Sequence, residues 1–304
     1  MRVRAGLGTV QLGLPYGNRV AEELMPRAAA FAILTAALER GVRFFDTAPA
    51  YGDAEARLGE FRLAARAPDV EVATKIPLVP VNVWRDADAY WAAVANSVTA
   101  SLRRLGLNRV GLIQFHQSDR AFLQSTHLPA VIERLHDRFC DGVGVSVYAL
   151  DEARLALRLP GVTTLQVPVN LVDTRFTEPT FLSTCHAAGV HVIARSLLLQ
   201  GVLVQHGPLP PVSKAPQLAE LRRRLEAVRV RAGVPLETLA LQWAHSALPS
   251  GSIALIGVDS VAALHANLDA FFSPLAVPRA DLEDWLGPAR SYASAEGLVH
   301  PGLW

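Results

Sequence analysis

The chain has 304 residues, 51% of them hydrophobic and 19% charged, which is enough apolar side chain for one large core or two ordinary ones. Lysine and arginine total 29 against 28 aspartates and glutamates, so a formal net charge of +1 creates no field that draws nucleic acid or an anionic membrane. The expected partners are therefore small molecules, and with no heptad or edge strand advertising an interface the default state is a monomer.

Cys140 and Cys185 stand far apart and outside any zinc or redox spacing, which reads as two reduced, buried thiols. The amino terminus lacks the unbroken apolar stretch of a signal peptide, and no apolar run is long enough to cross a bilayer. The expected location is the cytoplasm.

In chain order, strand-length apolar runs alternate with stretches of helical spacing. Residues 3–8 form the first run; Phe31, Leu34 and Leu38 then share a helical face between Pro26 and the stop at Gly41. Runs 42–45 and 70–74 follow, and Trp91, Val94, Val98, Leu102 and Leu105 repeat at steps of three or four before Gly106. Runs 110–115, 142–147 and 164–167 come next; a helix over 177–188 ends at Gly189, just before run 190–194. The stretch 197–217, with Pro208, Pro210, Pro211 and Pro216, reads as an extended loop, a lid or a surface excursion. Run 252–256 completes eight strands, a helix over 261–272 follows, and 276–304 is expected to add a short helix and a tail.

Runs this uniformly apolar suit a parallel sheet covered by helices, because an antiparallel sheet with one wet face alternates apolar and polar residues. Eight strand–helix units, with no GxGxxG after any strand, point to a single-domain (β/α)8 TIM barrel over residues 1–304 rather than to an open doubly wound sheet.

In such barrels the active site lies at the carboxyl ends of the strands. The second run ends at Asp46, the third at Lys75 and the fourth at His116, and Tyr51 follows in the loop after Asp46. Each alone has a plainer explanation: a strand-end Asp often caps a helix, and a lone His or Tyr usually packs. Together they are the groups that carbonyl reduction needs. A phenol can give the proton, a neighbouring ammonium lowers its pKa, an acid holds the ammonium, and an imidazole polarises the oxygen or assists the proton's passage.

Through Asp46 to Gly52 (DTAPAYG), Thr74-Lys75 and Phe115-His116, the sequence resembles the aldo-keto reductase superfamily. Further points of likeness are Gly6 to Thr9, Ser97 to Leu105, Gly142 to Ser146, Gln166 with Asn170-Leu171, and Gly257 to Asn267. The resemblance implies a (β/α)8 barrel that binds NADP or NAD without a Rossmann motif and interconverts a small-molecule carbonyl and its alcohol, with Asp46, Tyr51, Lys75 and His116 catalytic. It also implies a nucleotide site near Thr9, with Ser146 and Gln166 at the nicotinamide carboxamide. Ser196, Leu197, Gln200 and Gly201 would line the pyrophosphate, and Gly257, Ser260 and Asn267 would hold the adenosine end.

Three features depart from the family pattern. Val147 follows Ser146 where many members have asparagine, and Arg195 stands where many place a tyrosine under the nicotinamide. Its guanidinium could stack on that ring, or reach an anionic substrate or a cofactor phosphate. Asp259 stands where many members carry a base for the 2′-phosphate, so family habit favours NADP while this residue favours NAD. A sensor that keeps the nucleotide but turns over little is the alternative function; a phosphate-using barrel isomerase or lyase lacks its glycine-rich loop, carboxylate pair or metal cluster. Substrate choice is expected from loops 79–90 with Trp84, 117–126 and 197–217, and from the tail ending in Trp304.

Overall fold

The computed structural model describes residues 2–17, 23–204 and 207–299. Eight parallel strands close into a barrel in chain order: β1 (Arg4–Gly8), β2 (Phe44–Asp46), β3 (Glu71–Ile76), β4 (Val110–Phe115), β5 (Cys140–Ser146), β6 (Val162–Pro168), β7 (His191–Arg195) and β8 (Ile253–Gly257), which pairs back to β1. All eight runs read from the sequence fall on these strands. Short helical turns aside, the covering helices are α1 (Arg27–Glu39), α2 (Ala54–Phe61), α3 (Ala87–Leu105), α4 (Leu128–Arg138), α5 (Leu150–Ala156), α6 (Pro179–Ala187), α7 (Ala215–Ala232), α8 (Leu236–Ala247), α9 (Val261–Phe272) and α10 (Arg279–Ala295).

Local chemistry sets these bounds. Helix α3 buries Tyr90, Val94, Val98, Leu102 and Leu105, starts where the Asp86 carboxylate accepts the Ala89 N–H, and stops at Gly106, whose φ of 67° suits a residue without Cβ. Helix α9 starts where the Ser260 hydroxyl accepts the Ala263 N–H.

Successive side chains of a strand point to opposite faces, so each strand serves two cores. Phe45 faces the helices and joins the large strand–helix core, whereas Phe44 joins Ala73, Leu112, Ile193, Ile253 and Leu255 inside the barrel. Space there is short: a Cβ on Gly144 would stand 2.1 Å from Thr164 Oγ1.

Two expectations need correction. The stretch 197–217 is not an open excursion over its whole length. Leu197, Leu199, Val202 and Leu203 are buried, and Ala215 already begins α7; the segment holds apolar residues that the barrel core can cover. The helix after residue 276 is not short, because α10 runs for 17 residues and buries Leu282, Leu286, Ala289 and Ala293. The tail that carries Trp304 lies outside the described residues, as do residues 205 and 206 of the long segment.

Candidate active site

The period of two that fills the barrel also builds the site. Counting by twos from the inner core residues leads from Phe44 to Asp46, from Ala73 to Lys75, from Leu112 to Gln114 and His116, and from Ile193 to Arg195. Gly142 leads in the same way to Ser146, and Thr164 to Gln166. Polar side chains from separate strands thus converge on one mouth.

Lys75 is the deepest of them. Its ammonium, with the side chain 0% exposed, donates to Asp46 Oδ2 at 2.7 Å and to the Thr47 carbonyl at 2.9 Å. The other carboxylate oxygen, Oδ1, accepts from Gln166 Nε2 at 2.8 Å and Gln114 Nε2 at 3.1 Å. Asp46 is thereby held on both oxygens, as a buried carboxylate must be if it is to stay charged. Thr9, expected at the nucleotide, is instead fully buried, and its hydroxyl donates to the Asp46 carbonyl.

Tyr51 is delivered by a tight turn. Gly52 has φ of 55°, and a Cβ there would lie 2.3 Å from the Gly13 carbonyl oxygen, so the loops after β1 and β2 pack backbone to backbone. This contact turns the Tyr51 ring over Lys75, whose nitrogen lies 4.8 Å from the ring centroid and also interacts with the phenol oxygen.

The electrostatics differ from the sequence expectation at one point. Burial pushes the Tyr51 phenol up, and although Lys75 and Arg195 pull it down, the result stays above the ordinary value. The expected lowering by Lys75 is real but is outweighed by desolvation. Burial would push Lys75 down, but Asp46 and Tyr51 together hold its ammonium above its usual pKa. His116 is pushed down to about 4, by burial first and then by Lys75 and Arg195, so at neutral pH it is an uncharged imidazole. At neutral pH the site presents a protonated phenol over a buried ammonium, beside a neutral imidazole.

Tyr51 and His116 open into a cleft of about 730 Å³. Of the residues expected at a nucleotide, Gln166, Arg195, Ser196, Leu197, Gln200 and Gly201 line it near the mouth and along the segment after β7; Gly257, Asp259 and Asn267 line it beyond β8. Ser146 and Ser260 do not line it. Ser146 is buried with its hydroxyl 3.4 Å from Gln166 Oε1, and the Ser260 hydroxyl is the cap of α9. Gln166, expected to meet the carboxamide, spends its amide nitrogen on Asp46.

Arg195 stacks 4.0 Å from the centroid of the Tyr148 ring, donating through Nη2 to the Val147 carbonyl and through Nη1 to Ser196 Oγ. Val147, the departure noted after Ser146, is buried and contributes its backbone.

The sequence reading missed Tyr16, Tyr148, Gln114 and Glu237. Gln114 was legible, two positions before His116 on the same strand face. The two tyrosines come from loops after β1 and β5 that carry no strand register. The Tyr16 hydroxyl accepts from Gln200 Nε2 at 3.1 Å, linking the β1 loop to the β7 loop across the cleft. That β7 loop is strained: Ser196, Leu199 and Gln200 have φ of 61°, 48° and 53°, a conformation such side chains seldom adopt and one found where backbone is shaped for a ligand. Loops 79–90 and 117–126, expected to select substrate, do not line the cleft. Trp84 and Tyr90 pack edge-on against Phe122 instead.

Comparison with known proteins agrees with this architecture. The family model described as the aldo/keto reductase family matches residues 4–279. An uncharacterized oxidoreductase of Mycobacterium tuberculosis is 32% identical, over 88% of this chain and 84% of that protein. L-galactose dehydrogenase of Arabidopsis thaliana is 28% identical, over 87% and 83%. Among solved structures, the glycerol dehydrogenase of Gluconobacter oxydans superposes with a TM-score of 0.70 at 22% identity, over 96% of this chain and 91% of that one. Among the described residues, no helix is long and apolar enough to cross a membrane.

Proposed function

The chain belongs to the aldo/keto reductase family, and from that membership we propose that it interconverts an aldehyde, ketone or sugar-like carbonyl and its alcohol, with NAD(P)(H) as redox partner and Tyr51 as proton donor. The observation that carries this reading is the Asp46–Lys75–Tyr51 stack, with His116 opening into the same cleft.

The residues present fit a nicotinamide nucleotide: a long cleft runs from the phenol to α9, walled by strained backbone at Ser196, Leu199 and Gln200. When bound, the nucleotide supplies the hydride that reaches carbon. Tyr51 gives its proton to the carbonyl oxygen as that hydride arrives, so the carbonyl becomes a CH–OH group. The Lys75 ammonium stabilises the phenolate left behind, and Asp46 keeps Lys75 charged and in place. Neutral His116 can donate its ring N–H to the oxygen, fixing the carbonyl and easing the build-up of negative charge. In oxidation the same groups act in reverse, with phenolate as base.

Asp259 and Glu237 line the cleft, and neither lysine nor any arginine other than Arg195 does so among the described residues. Asp259 stands where many family members carry a base for the 2′-phosphate, so we place NAD(H) within the enzyme's range. The similarity to L-galactose dehydrogenase suits a polar, hydroxyl-bearing carbonyl.

A panel of aldehydes and sugars with NADH and NADPH, read as loss of nicotinamide absorbance, tests the reading. In Tyr51→Phe, turnover is expected to fall on the order of 10²–10⁴-fold, while nucleotide binding by fluorescence persists. Retained turnover reassigns the acid.

A further inference from the structure

Charge is distributed unevenly along the cleft. At the reacting end Asp46 and Lys75 neutralise each other and His116 is uncharged, which leaves Arg195 as the one cation among the described residues that line the cleft. The carboxylates that line the cleft farther on, Asp259 and Glu237, lie after β8 and at the start of α8.

Arg195 is fixed in place. Its Nη2 donates to the Val147 carbonyl at 3.1 Å, its Nη1 to Ser196 Oγ at 3.3 Å, and its plane lies against Tyr148. Both acceptors are neutral, and among the described residues no ion pair includes it. A guanidinium has five N–H donors in a planar fork that matches two oxygens of a carboxylate or phosphate. A cation held partly out of water favours a counter-anion, and the described residues supply none within ion-pair distance.

We propose that Arg195 receives an anionic group carried by the carbonyl substrate, a carboxylate or a phosphate, so that the enzyme's substrates are acidic aldehydes, ketones or hydroxy compounds. This rests on the reductase reading above. The guanidinium lines the same cleft as Tyr51 and His116, so an anion paired with it lies in the cleft that holds the reacting carbon. The nucleotide's phosphates are the other source of such an anion. The fork is held from both sides, through Nη2 by the Val147 carbonyl after β5 and through Nη1 by Ser196 after β7, so the nucleotide affinity of an Arg195 variant decides between the two sources.

The test uses matched carbonyl pairs with the full chain: succinic semialdehyde against butanal, glucuronate against glucose, and glyceraldehyde 3-phosphate against glyceraldehyde. NADH affinity is measured beside them by fluorescence. The native enzyme is expected to favour the charged member of at least one pair by tenfold or more in kcat/KM, chiefly through KM, with sulfate competing against it. In Arg195→Met that preference ratio is expected to fall at least tenfold and sulfate competition to vanish. Arg195→Lys, which keeps the charge and loses the fork, should fall in between, and it serves if the methionine variant does not fold.

A preference ratio unchanged in Arg195→Met overturns the proposal; if NADH affinity falls tenfold at the same time, the guanidinium belongs to a nucleotide phosphate. Native turnover of the neutral members with no preference for the charged ones overturns the inference and leaves the reductase reading standing. Turnover of none with either nucleotide overturns the reading itself.

Discussion

Replacing Lys75 with methionine keeps most of the side-chain volume and removes one charge from a pair that water does not reach. In the native protein the two charges are 2.7 Å apart, with the side chains 0% and 4% exposed. At an effective dielectric constant of about 20 their attraction is roughly 6 kcal/mol. Most of that offsets the cost of desolvating both groups, so the pair itself adds little net stability. Removing one partner is a different matter, because Asp46 would keep its burial and lose its counter-ion.

The amides of Gln114 and Gln166 still donate to Oδ1, but the oxygen that faced Lys75 loses its donor. The expected loss is about 3–5 kcal/mol at pH 7, or on the order of 5–10 °C in melting temperature. The double variant Asp46→Asn/Lys75→Met buries no charge at this position. It should lose less than Lys75→Met alone, a coupling of about 3 kcal/mol in a double-mutant cycle. Urea unfolding followed by circular dichroism measures all four proteins. A single variant within 1 kcal/mol of native, or a double variant whose loss is the sum of the two single ones, would refute the claim that the ammonium is held by desolvated pairing with Asp46.

Further outcomes follow from the same groups. His116 has a folded pKa of about 4, below its unfolded value of roughly 6.5. Its contribution to stability is therefore full above pH 6.5 and is lost as pH falls toward 4, by about 2–3 kcal/mol. His116→Gln should remove that part of the acid dependence; an identical pH–stability curve would count against a neutral buried imidazole. The raised Tyr51 pKa keeps the phenol protonated through neutral pH, so kcat/KM for reduction should hold level from pH 6 to 9 and fall only above 10. A limb with its midpoint near 7 would assign the acid to another group. Asp259→Lys should tighten NADPH binding about tenfold relative to NADH, the value of one exposed charge contact at low salt; no change in the ratio in fluorescence titrations would take Asp259 out of nucleotide choice.

The eight-stranded barrel was legible in the linear order of residues. Strand and helix period, glycine stops and capping residues are local properties, and eight apolar runs, three of them followed at once by Asp46, Lys75 and His116, leave few parallel arrangements open. Asp46, Lys75 and His116 were legible because a strand's period of two carries the inner-core register directly into the mouth. Gln114, two positions before His116, obeys the same rule but was not among the expected residues.

Contacts between separate loops, and burial, arise only in the folded chain. The turn that swings Tyr51 over Lys75 rests on backbone packing between Gly52 and Gly13, and the stacking of Arg195 on Tyr148 joins the ends of β7 and β5. Gln166 turned to Asp46, and Thr9 to the Asp46 carbonyl, because buried polar atoms take the nearest partner that three dimensions offer. Desolvation set the direction of the Tyr51 shift against its neighbouring ammonium, and the depth of burial is a property of the closed barrel, absent from the linear order of residues.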